Sequence, residues 1–236
     1  MPKELKALLA KNLAQRVRNG DVIGLGSGST AELALIEIAK RITNEGITVS
    51  GVATSFRTTQ LAEQAGIRVF PAHSSRALTW AFDGADEVDA ELNMIKGRGA
   101  AMLMEKLVAR RSPKLCIIVT EDKLVSRLGS KFPVPVEVIP EAVCDAEIAL
   151  KALGADVVDL RQAVNKYGPE ITEHNNLILD ARFDKITVET EAAIKSIIGV
   201  VESGLFFNFN PEVLVARDDG IWSRRTVDGK VVEQLV

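Results

Sequence analysis

Short apolar runs alternate with amphipathic helical patterns along the first half of the chain, and this alternation constrains the fold more than any other feature. Residues 21–25, 49–53 and 68–70 have the composition of strands, whereas residues 31–44 and 58–65 space their apolar positions as helices do. Strands that alternate with helices build right-handed βαβ units and a parallel sheet. The predicted fold class is therefore α/β, with a Rossmann-like, mostly parallel sheet and helices on both of its faces.

The pattern changes at the proline-containing segment 132–136. From there to residue 208 the predicted elements follow the order β-α-β-β-α-β, which is typical of a small α+β, ferredoxin-like unit. Two further strands near the end of the chain are expected to return to the first sheet. We predict a Rossmann-like α/β domain formed by residues 1–131 and 209–236, and a smaller α+β domain formed by residues 132–208.

Composition and charge indicate a globular protein without a nucleic-acid or membrane partner. The 236 residues are 47% hydrophobic and carry a net charge of −3, with no basic block. Nucleic-acid-binding proteins usually present a basic face, and no apolar run is long enough to span a membrane. The N-terminus lacks a signal-like stretch, and Cys116 and Cys144 form no disulfide framework. We therefore expect a cytoplasmic location.

A glycine-rich loop after the first strand is a candidate site for an anion. It combines glycines with hydroxyl side chains, namely Gly26, Ser27, Gly28, Ser29 and Thr30. Glycines let the backbone approach an anion closely, and the helix that follows offers N–H groups at its N-terminus. The spacing fits neither the dinucleotide fingerprint nor the P-loop. Phosphate or sugar binding is one interpretation, and a tight strand-to-helix turn with a Ser or Thr cap is the other.

Two acids lie at and just beyond the end of the apolar run in residues 78–82, which indicates a second functional loop. Asp83 ends the run, and Asp86 lies three residues further on, after Gly84 and Ala85. Ligands bind at the carboxyl ends of the strands in open α/β sheets, so both carboxylates are expected to face one cleft. A solvated acidic turn is the alternative interpretation. A magnesium or manganese site ranks below both, because no histidine or further acid has suitable spacing.

A second glycine loop begins at Lys96 and contains Gly97 and Gly99. The helix predicted after it carries Glu105 at the edge of an apolar stripe. A carboxylate that is partly removed from water suits the role of a general base. An ordinary exposed helix glutamate is the alternative interpretation.

Taken together, these segments resemble the type A ribose-5-phosphate isomerase family in their order and spacing. The matching pieces are the glycine loop 24–30, residues 83–87, residues 96–101 with Glu105, and the segment 132–140. The resemblance implies interconversion of D-ribose 5-phosphate and D-ribulose 5-phosphate without a metal or other cofactor. It further implies that Glu105 carries a proton between C2 and C1, and that Lys96 stabilises negative charge on oxygen. Asp83, with Asp86 beside it, would assist ring opening and proton transfer between hydroxyls.

The resemblance also implies which residues surround the substrate and how the protein assembles. Around the phosphate or nearby hydroxyls it places Lys6, Ser29, Thr30, Thr54, Ser55 and Lys123. A homodimer or homotetramer is expected. The chain departs from the family at Arg98, where glycine is common, so Arg98 would either add positive charge near the substrate or point to solvent. It departs again at residues 120–123, which read Thr-Glu-Asp-Lys where the family commonly has Asp-x-Ser-Lys, and this weakens the role given to Lys123.

Two other functions remain as alternatives. A non-catalytic sugar-phosphate sensor of similar fold would need an additional DNA-binding segment, and the chain is expected to begin directly with the first helix of the core. A related sugar-phosphate deaminase or acyl-CoA transferase is the other alternative. Deaminase chemistry would require a well-placed histidine, whereas His73 and His174 have no matching acid or nucleophile.

Overall fold

The computed structural model of the protein describes residues 3–236, which form α-helices, strands and two short 3₁₀ turns. The α-helices are α1 Lys3–Gln15, α2 Ser29–Glu45, α3 Phe56–Gln64, α4 Met102–Arg111, α5 Val143–Ala152 and α6 Val188–Lys195. The strands are β1 Val22–Leu25, β2 Ser50–Ala53, β3 Arg68–Val69, β4 Trp80–Asp83, β5 Glu87–Val88, β6 Met94–Ile95, β7 Leu115–Thr120, β8 Val134–Val138, β9 Ala155–Leu160, β10 Leu177–Phe183, β11 Val200–Ser203, β12 Leu205–Phe206, β13 Glu212–Arg217, β14 Gly220–Val227 and β15 Lys230–Leu235. Within the described residues, no helix is both long and apolar enough to span a membrane.

The chain divides into two compact units. The first comprises the chain up to Ala85, Met104–Lys123 and Phe209–Val236, and the second comprises Asp86–Leu103 and Leu124–Asn208. These units differ from the domain bounds predicted from the sequence, because residues 86–103 and 124–131 pack with the second unit.

Backbone pairing explains why those residues belong to the second unit. β6 pairs with β12 through Ile95 and Leu205, and β5 pairs with β6. Val88 of β5 also forms a bridge with Leu124. These short pairings carry no periodic sequence signal, so the composition of residues 86–103 gave no indication of them.

An eight-stranded sheet forms the centre of the first unit, in the order β15-β14-β13-β7-β4-β1-β2-β3. The six strands from β13 to β3 pair in parallel, and β14 and β15 add an antiparallel hairpin at one edge. The Rossmann-like, mostly parallel sheet predicted from the alternating pattern is confirmed. The last strand, β15, was not predicted.

Helices cover both faces of this sheet, as predicted. Ile23 and Leu25 of β1 are fully buried in one core cluster with Leu9 of α1 and Leu35 of α2. Gly24 lies between them and faces the other way, because side chains alternate along a strand. A Cβ atom added at Gly24 would lie 2.5 Å from a methyl carbon of Val108 in α4. Glycine at this position therefore lets α4 pack closely against β1.

The second unit contains the predicted ferredoxin-like layer. Its antiparallel sheet has the order β11-β8-β10-β9, and its elements follow the chain order β8-α5-β9-β10-α6-β11. Val134, Val136 and Val138 alternate along β8 and are fully buried in one cluster with Leu150 of α5 and Ile194 of α6. This period of two is typical of a strand with one face in a core.

An ion pair joins the end of α1 to β13 within the first unit. The Arg16 guanidinium donates hydrogen bonds to both carboxylate oxygens of Glu212, at 2.5 and 3.1 Å, and the Ser223 hydroxyl donates another at 2.7 Å. Burial by itself would raise the pKa of Glu212, but these hydrogen bonds outweigh burial and hold the pKa below its usual range. Neighbouring Cys116 is buried, and its burial raises the pKa of the thiol to about 12.

This pKa shift predicts how stability depends on pH. A carboxylate whose pKa is lower in the folded state stabilises the fold above its unfolded pKa of about 4.3, and that contribution is lost as pH falls through the folded pKa. We expect Glu212→Gln to lower the free energy of unfolding at pH 7 and to flatten its decline below about pH 4.3. Urea denaturation across pH, with exposed Glu63→Gln as the control, measures both effects. Equal acid-side slopes in wild type and Glu212→Gln would contradict the assignment.

Candidate active site

The parallel strands bring several predicted site residues to one edge of the large sheet. β1, β2, β4 and β7 are neighbours that run in the same direction, so their carboxyl ends lie at the same edge. Ligands bind at this edge in open α/β sheets. The loops that begin there carry Gly26, Ser27, Gly28, Thr54, Ser55, Gly84, Ala85 and Lys123, and Asp83 is the last residue of β4.

Asp83 is held in a fixed position by the backbone. Asp83 is only 4% exposed. Its Oδ1 accepts hydrogen bonds from the N–H groups of Ser27, at 3.0 Å, and Gly84, at 2.8 Å. A Cβ atom at Gly26 would lie 2.4 Å from this Oδ1 and 2.5 Å from the Phe82 carbonyl oxygen. Only glycine therefore lets the loop after β1 approach Asp83 so closely. For Asp83, the alternative of a solvated turn is wrong.

Four hydroxyl groups form a cluster beside Asp83. The Ser27 Oγ lies 2.7 Å from Thr54 Oγ1, 2.8 Å from Ser55 Oγ and 3.1 Å from Thr58 Oγ1. The outer hydroxyls are anchored in turn, since Thr54 donates to the Leu25 carbonyl oxygen and Thr58 donates to that of Gly26. The network therefore ties the loop after β1 to the loop after β2.

Thr58 was missed in the sequence analysis, although a local signal for it exists. Ser55 caps α3, and its Oγ accepts the Thr58 N–H at 3.1 Å. A Ser followed three residues later by a polar residue is a common start of a helix. This spacing places Thr58 one turn into α3, where it is 2% exposed and within reach of Ser27.

The beginning of α2 has the properties of an anion site. α2 starts at Ser29 and continues through Thr30, and the Lys6 ammonium of α1 donates a hydrogen bond to Ser29 Oγ at 2.7 Å. The alternative interpretation included a Ser or Thr cap on this helix, but Gly28 occupies the cap position, with φ of 100°, and provides no side-chain hydrogen bond. The first N–H groups of a helix lack intrahelical partners, so this terminus, with a lysine beside it, suits a phosphate.

Glu105 is buried on α4, so the alternative of an exposed helix glutamate is wrong. The residue is 6% exposed and lies three positions before Val108, which packs against Gly24 of β1. Residues three apart share a helix face. Because α4 ends just before the amino end of β7, its own N-terminus points towards the carboxyl edge of the sheet. Glu105 is therefore one turn closer to that edge than Val108.

Lys123 follows β7 directly in a single 3₁₀ turn, Glu121–Lys123. The turn is stabilised by the Thr120 hydroxyl, which donates to Asp122 Oδ1 at 2.6 Å. Lys123 is half-buried. Despite the altered local sequence, the lysine therefore lies at the same edge of the sheet as Asp83.

The second unit holds the Lys96 loop. Lys96 is 3% exposed, its backbone N–H donates to the Gly204 carbonyl oxygen at 2.9 Å, and its ammonium lies 5.4 Å from the ring centre of Phe206. An ammonium this close to an aromatic face is stabilised by a cation–π interaction. Gly97, which follows Lys96, has φ of 101°, a conformation that favours glycine.

Asp86 and Arg98 are also located in the second unit. The Asp86 Oδ2 accepts the Arg98 N–H at 3.1 Å, so this carboxylate fixes the backbone of the loop. The Arg98 side chain is exposed and its guanidinium lies 5.1 Å from the ring centre of Phe132, while Gly99 is exposed beside it. Among residues 3–236 no group of three or more histidine, cysteine or acidic side chains could hold a metal ion.

Buried carboxylates and a buried lysine can move protons and stabilise an oxyanion, while the α2 terminus can hold a phosphate. An α/β fold that carries such residues suits an enzyme acting on a phosphorylated sugar. The sequence model described as ribose 5-phosphate isomerase A (phosphoriboisomerase A) matches residues 50–220. The chain belongs to the ribose 5-phosphate isomerase A family.

Individual relatives are similar to this protein in sequence and structure over nearly the whole chain. The ribose-5-phosphate isomerase A of Thermosynechococcus vestitus is 44% identical over 216 residues, which cover 90% of this chain and 91% of that protein. The solved ribose 5-phosphate isomerase A of Methanocaldococcus jannaschii has a TM-score of 0.92 and 39% identity, and covers 96% of this chain and 100% of its own. A D-ribose-5-phosphate isomerase solved with phospho-erythronic acid has a TM-score of 0.91 and 37% identity, covering 95% and 99% respectively.

The close approach of Gly26 to Asp83 generates a prediction. Gly26→Ala would force the added Cβ against the Asp83 carboxylate and the Phe82 carbonyl, so we expect a loss of about 1–3 kcal/mol in the free energy of unfolding, together with reduced isomerase turnover. Gly84→Ala is the control for stability, because its Cβ would meet only the Ile118 carbonyl oxygen, at 4.0 Å. Urea denaturation of both variants provides the measurement. Equal stability of the two would show that the contact is not restrictive.

Proposed function

We propose that this protein interconverts D-ribose 5-phosphate and D-ribulose 5-phosphate through an enediolate. The observation that carries the proposal is the burial of three ionisable residues, Asp83, Glu105 and Lys96, which are 4%, 6% and 3% exposed. Ionisable groups are rarely removed from water unless they are paired or have a chemical role. Family membership identifies the substrate, and a similar isomerase was solved with phospho-erythronic acid, a phosphorylated sugar acid.

Glu105 is proposed as the base. Its carboxylate removes the proton from C2 of the open-chain aldose, which leaves an enediolate, and then returns that proton to C1 to give the ketose. A positioned base of this kind contributes about 10²–10⁴-fold to the rate. Its burial supports this role, because a site closed to bulk water keeps the transferred proton from being lost to solvent.

Lys96 and Asp83 are proposed to manage charge and protons on the oxygens. The Lys96 ammonium stabilises the negative charge that develops on the enediolate, and a preorganised charge is more effective than solvent in this role. Asp83 opens the sugar ring and, in the direction from aldose to ketose, transfers the proton of the C2 hydroxyl to the oxygen on C1. Asp86 supports the loop that contains Lys96 through its bond to the Arg98 N–H.

The phosphate is proposed to bind at the start of α2. Lys6, Ser29 and Thr30 supply charge and hydroxyl donors there, and Lys123 adds a second cation from the end of β7. The hydrogen bonds of Ser27 with Thr54 and Ser55 stabilise the conformation of the glycine loop. Holding the non-reacting phosphate keeps C1 and C2 in register with the base, and this binding energy can favour the transition state.

We further propose that the protein works in the cytoplasm as a homodimer or homotetramer in the pentose phosphate pathway, with a sugar phosphate as its small-molecule partner. The family supports this assignment. A non-catalytic sensor is not favoured, because the relatives along nearly the whole chain are named as isomerases. Neither is a deaminase or transferase.

Replacing Glu105 by Gln tests the mechanism. We expect Glu105→Gln to lower kcat by on the order of 10²–10⁴-fold while substrate binding changes little, because glutamine keeps the shape but cannot accept the C2 proton. Turnover of ribose 5-phosphate and its binding, measured by calorimetry, separate the two effects. Exposed Glu91→Gln is the matched control and should retain wild-type kcat. A Glu105→Gln variant with near-normal turnover would remove Glu105 from the role of base.

A further inference from the structure

Arg161, just beyond β9 in the second unit, makes an unusual set of contacts. Its side chain is only 13% exposed, and its Nε and Nη2 donate to the two carboxylate oxygens of Asp180 in β10, at 2.8 and 2.5 Å. Glu170 lies 3.7 Å from its Nη1. The guanidinium is therefore held in one orientation by a carboxylate that binds one of its edges.

The remaining edge of the guanidinium points at the loop that contains Lys96. Nη1 of Arg161 donates to the carbonyl oxygen of Gly97 at 3.0 Å and to that of Arg98 at 3.3 Å. These two carbonyls belong to the residues that directly follow Lys96. Arg161 thus connects the ferredoxin-like sheet to the backbone of a loop that lies 64 residues earlier in the chain.

The loop needs such external support, because its backbone is strained. Gly97 has φ of 101° and Ala100 has φ of 59°, and the left-handed region is uncommon for a residue with a Cβ. Conformations of this kind persist when the surrounding structure fixes them. Here the Lys96 N–H is bound by Gly204, the Arg98 N–H by Asp86, and the two carbonyls by Arg161.

We propose that Arg161 is a positioning residue for the isomerisation: by holding the Gly97 and Arg98 carbonyls, it fixes the loop from which Lys96 extends. The inference rests on the proposed function, because it assigns Lys96 to the enediolate. Arginine is suited to this task since its planar group binds a carboxylate with one edge and carbonyls with another. A lysine carries its donors on a single atom and cannot bridge both partners in the same way.

Kinetics of Arg161→Ala test the proposal. A displacement of about 1 Å in a catalytic group can cost on the order of 10²-fold in rate, so we expect kcat to fall by about 10–100-fold. KM should change by less than about threefold, because the phosphate ligands lie in the first unit. Arg161→Lys should behave like Arg161→Ala. Guanidinium ion, added well below denaturing concentrations, should restore part of the kcat of Arg161→Ala, whereas ammonium ion should not.

Arg127→Ala is the matched control. Arg127 also pairs with a carboxylate in the second unit, that of Asp184 at 2.9 Å, but it is exposed and makes no hydrogen bond to the Lys96 loop. It should retain wild-type kcat. Asp180→Asn provides a second variant, because it weakens the hold on Arg161 without touching the loop, and its kcat should fall between those of wild type and Arg161→Ala.

The outcomes separate this inference from the proposed function. A wild-type protein that does not convert ribose 5-phosphate would reject the function. If the wild type is active, an unchanged kcat in Arg161→Ala would overturn the positioning role. So would a loss of kcat that equals the fraction of unfolded protein and is not restored by guanidinium ion. Amide hydrogen exchange gives a readout independent of turnover: the Arg98 and Ala100 N–H groups should exchange faster in Arg161→Ala than in Arg127→Ala, and equal rates would also overturn the proposal.

Discussion

One carboxylate oxygen of Asp83 accepts hydrogen bonds from two backbone N–H groups, those of Ser27 and Gly84, and the arrangement of the loops at the carboxyl edge of the large sheet depends on this contact. It requires the parallel register in which Leu25 of β1 lies beside Phe82 of β4. It also requires glycine at position 26, because any Cβ there would occupy the space of the carboxylate. The position of Asp83 therefore depends on both the strand register and the glycine loop, and a substitution in either would displace its carboxylate.

In each compact unit, hydrogen bonds hold the candidate functional groups in place. In the first, hydroxyl groups around Ser27 tie two strand ends together. In the second, carbonyl and amide groups of the loop after Lys96 are bound by Gly204, Asp86 and Arg161. Catalytic groups that are already oriented need little reorganisation as charge develops, which is the main source of electrostatic catalysis. Within each unit, the contacts that fold the chain therefore also hold these groups in place.

The sequence contained enough information to predict the Rossmann-like sheet and the ferredoxin-like layer, because their strands and helices are long enough to show periodicity. It also identified Asp83, Lys96 and Glu105 as candidates, since short motifs carry them. It did not reveal β5, β6 and β12, which are two residues long and, unlike the equally short β3, do not follow a helical pattern, or the final strand β15. Arg161 could not be found either, because its partners Gly97 and Arg98 lie more than sixty residues away and bind through main-chain atoms, which leave no side-chain pattern.

The central proposal is that the start of α2 binds the phosphate and that Asp83, Glu105 and Lys96 catalyse the isomerisation without a metal. The most direct measurement compares ketose formation by the purified protein from ribose 5-phosphate and from unphosphorylated ribose, each with and without EDTA. We predict rapid conversion of ribose 5-phosphate that EDTA does not change, and kcat/KM for ribose lower by on the order of 10³-fold or more, because the binding energy of the phosphate is lost. Equal rates for the two sugars, loss of activity with EDTA, or no ketose from ribose 5-phosphate would contradict the account.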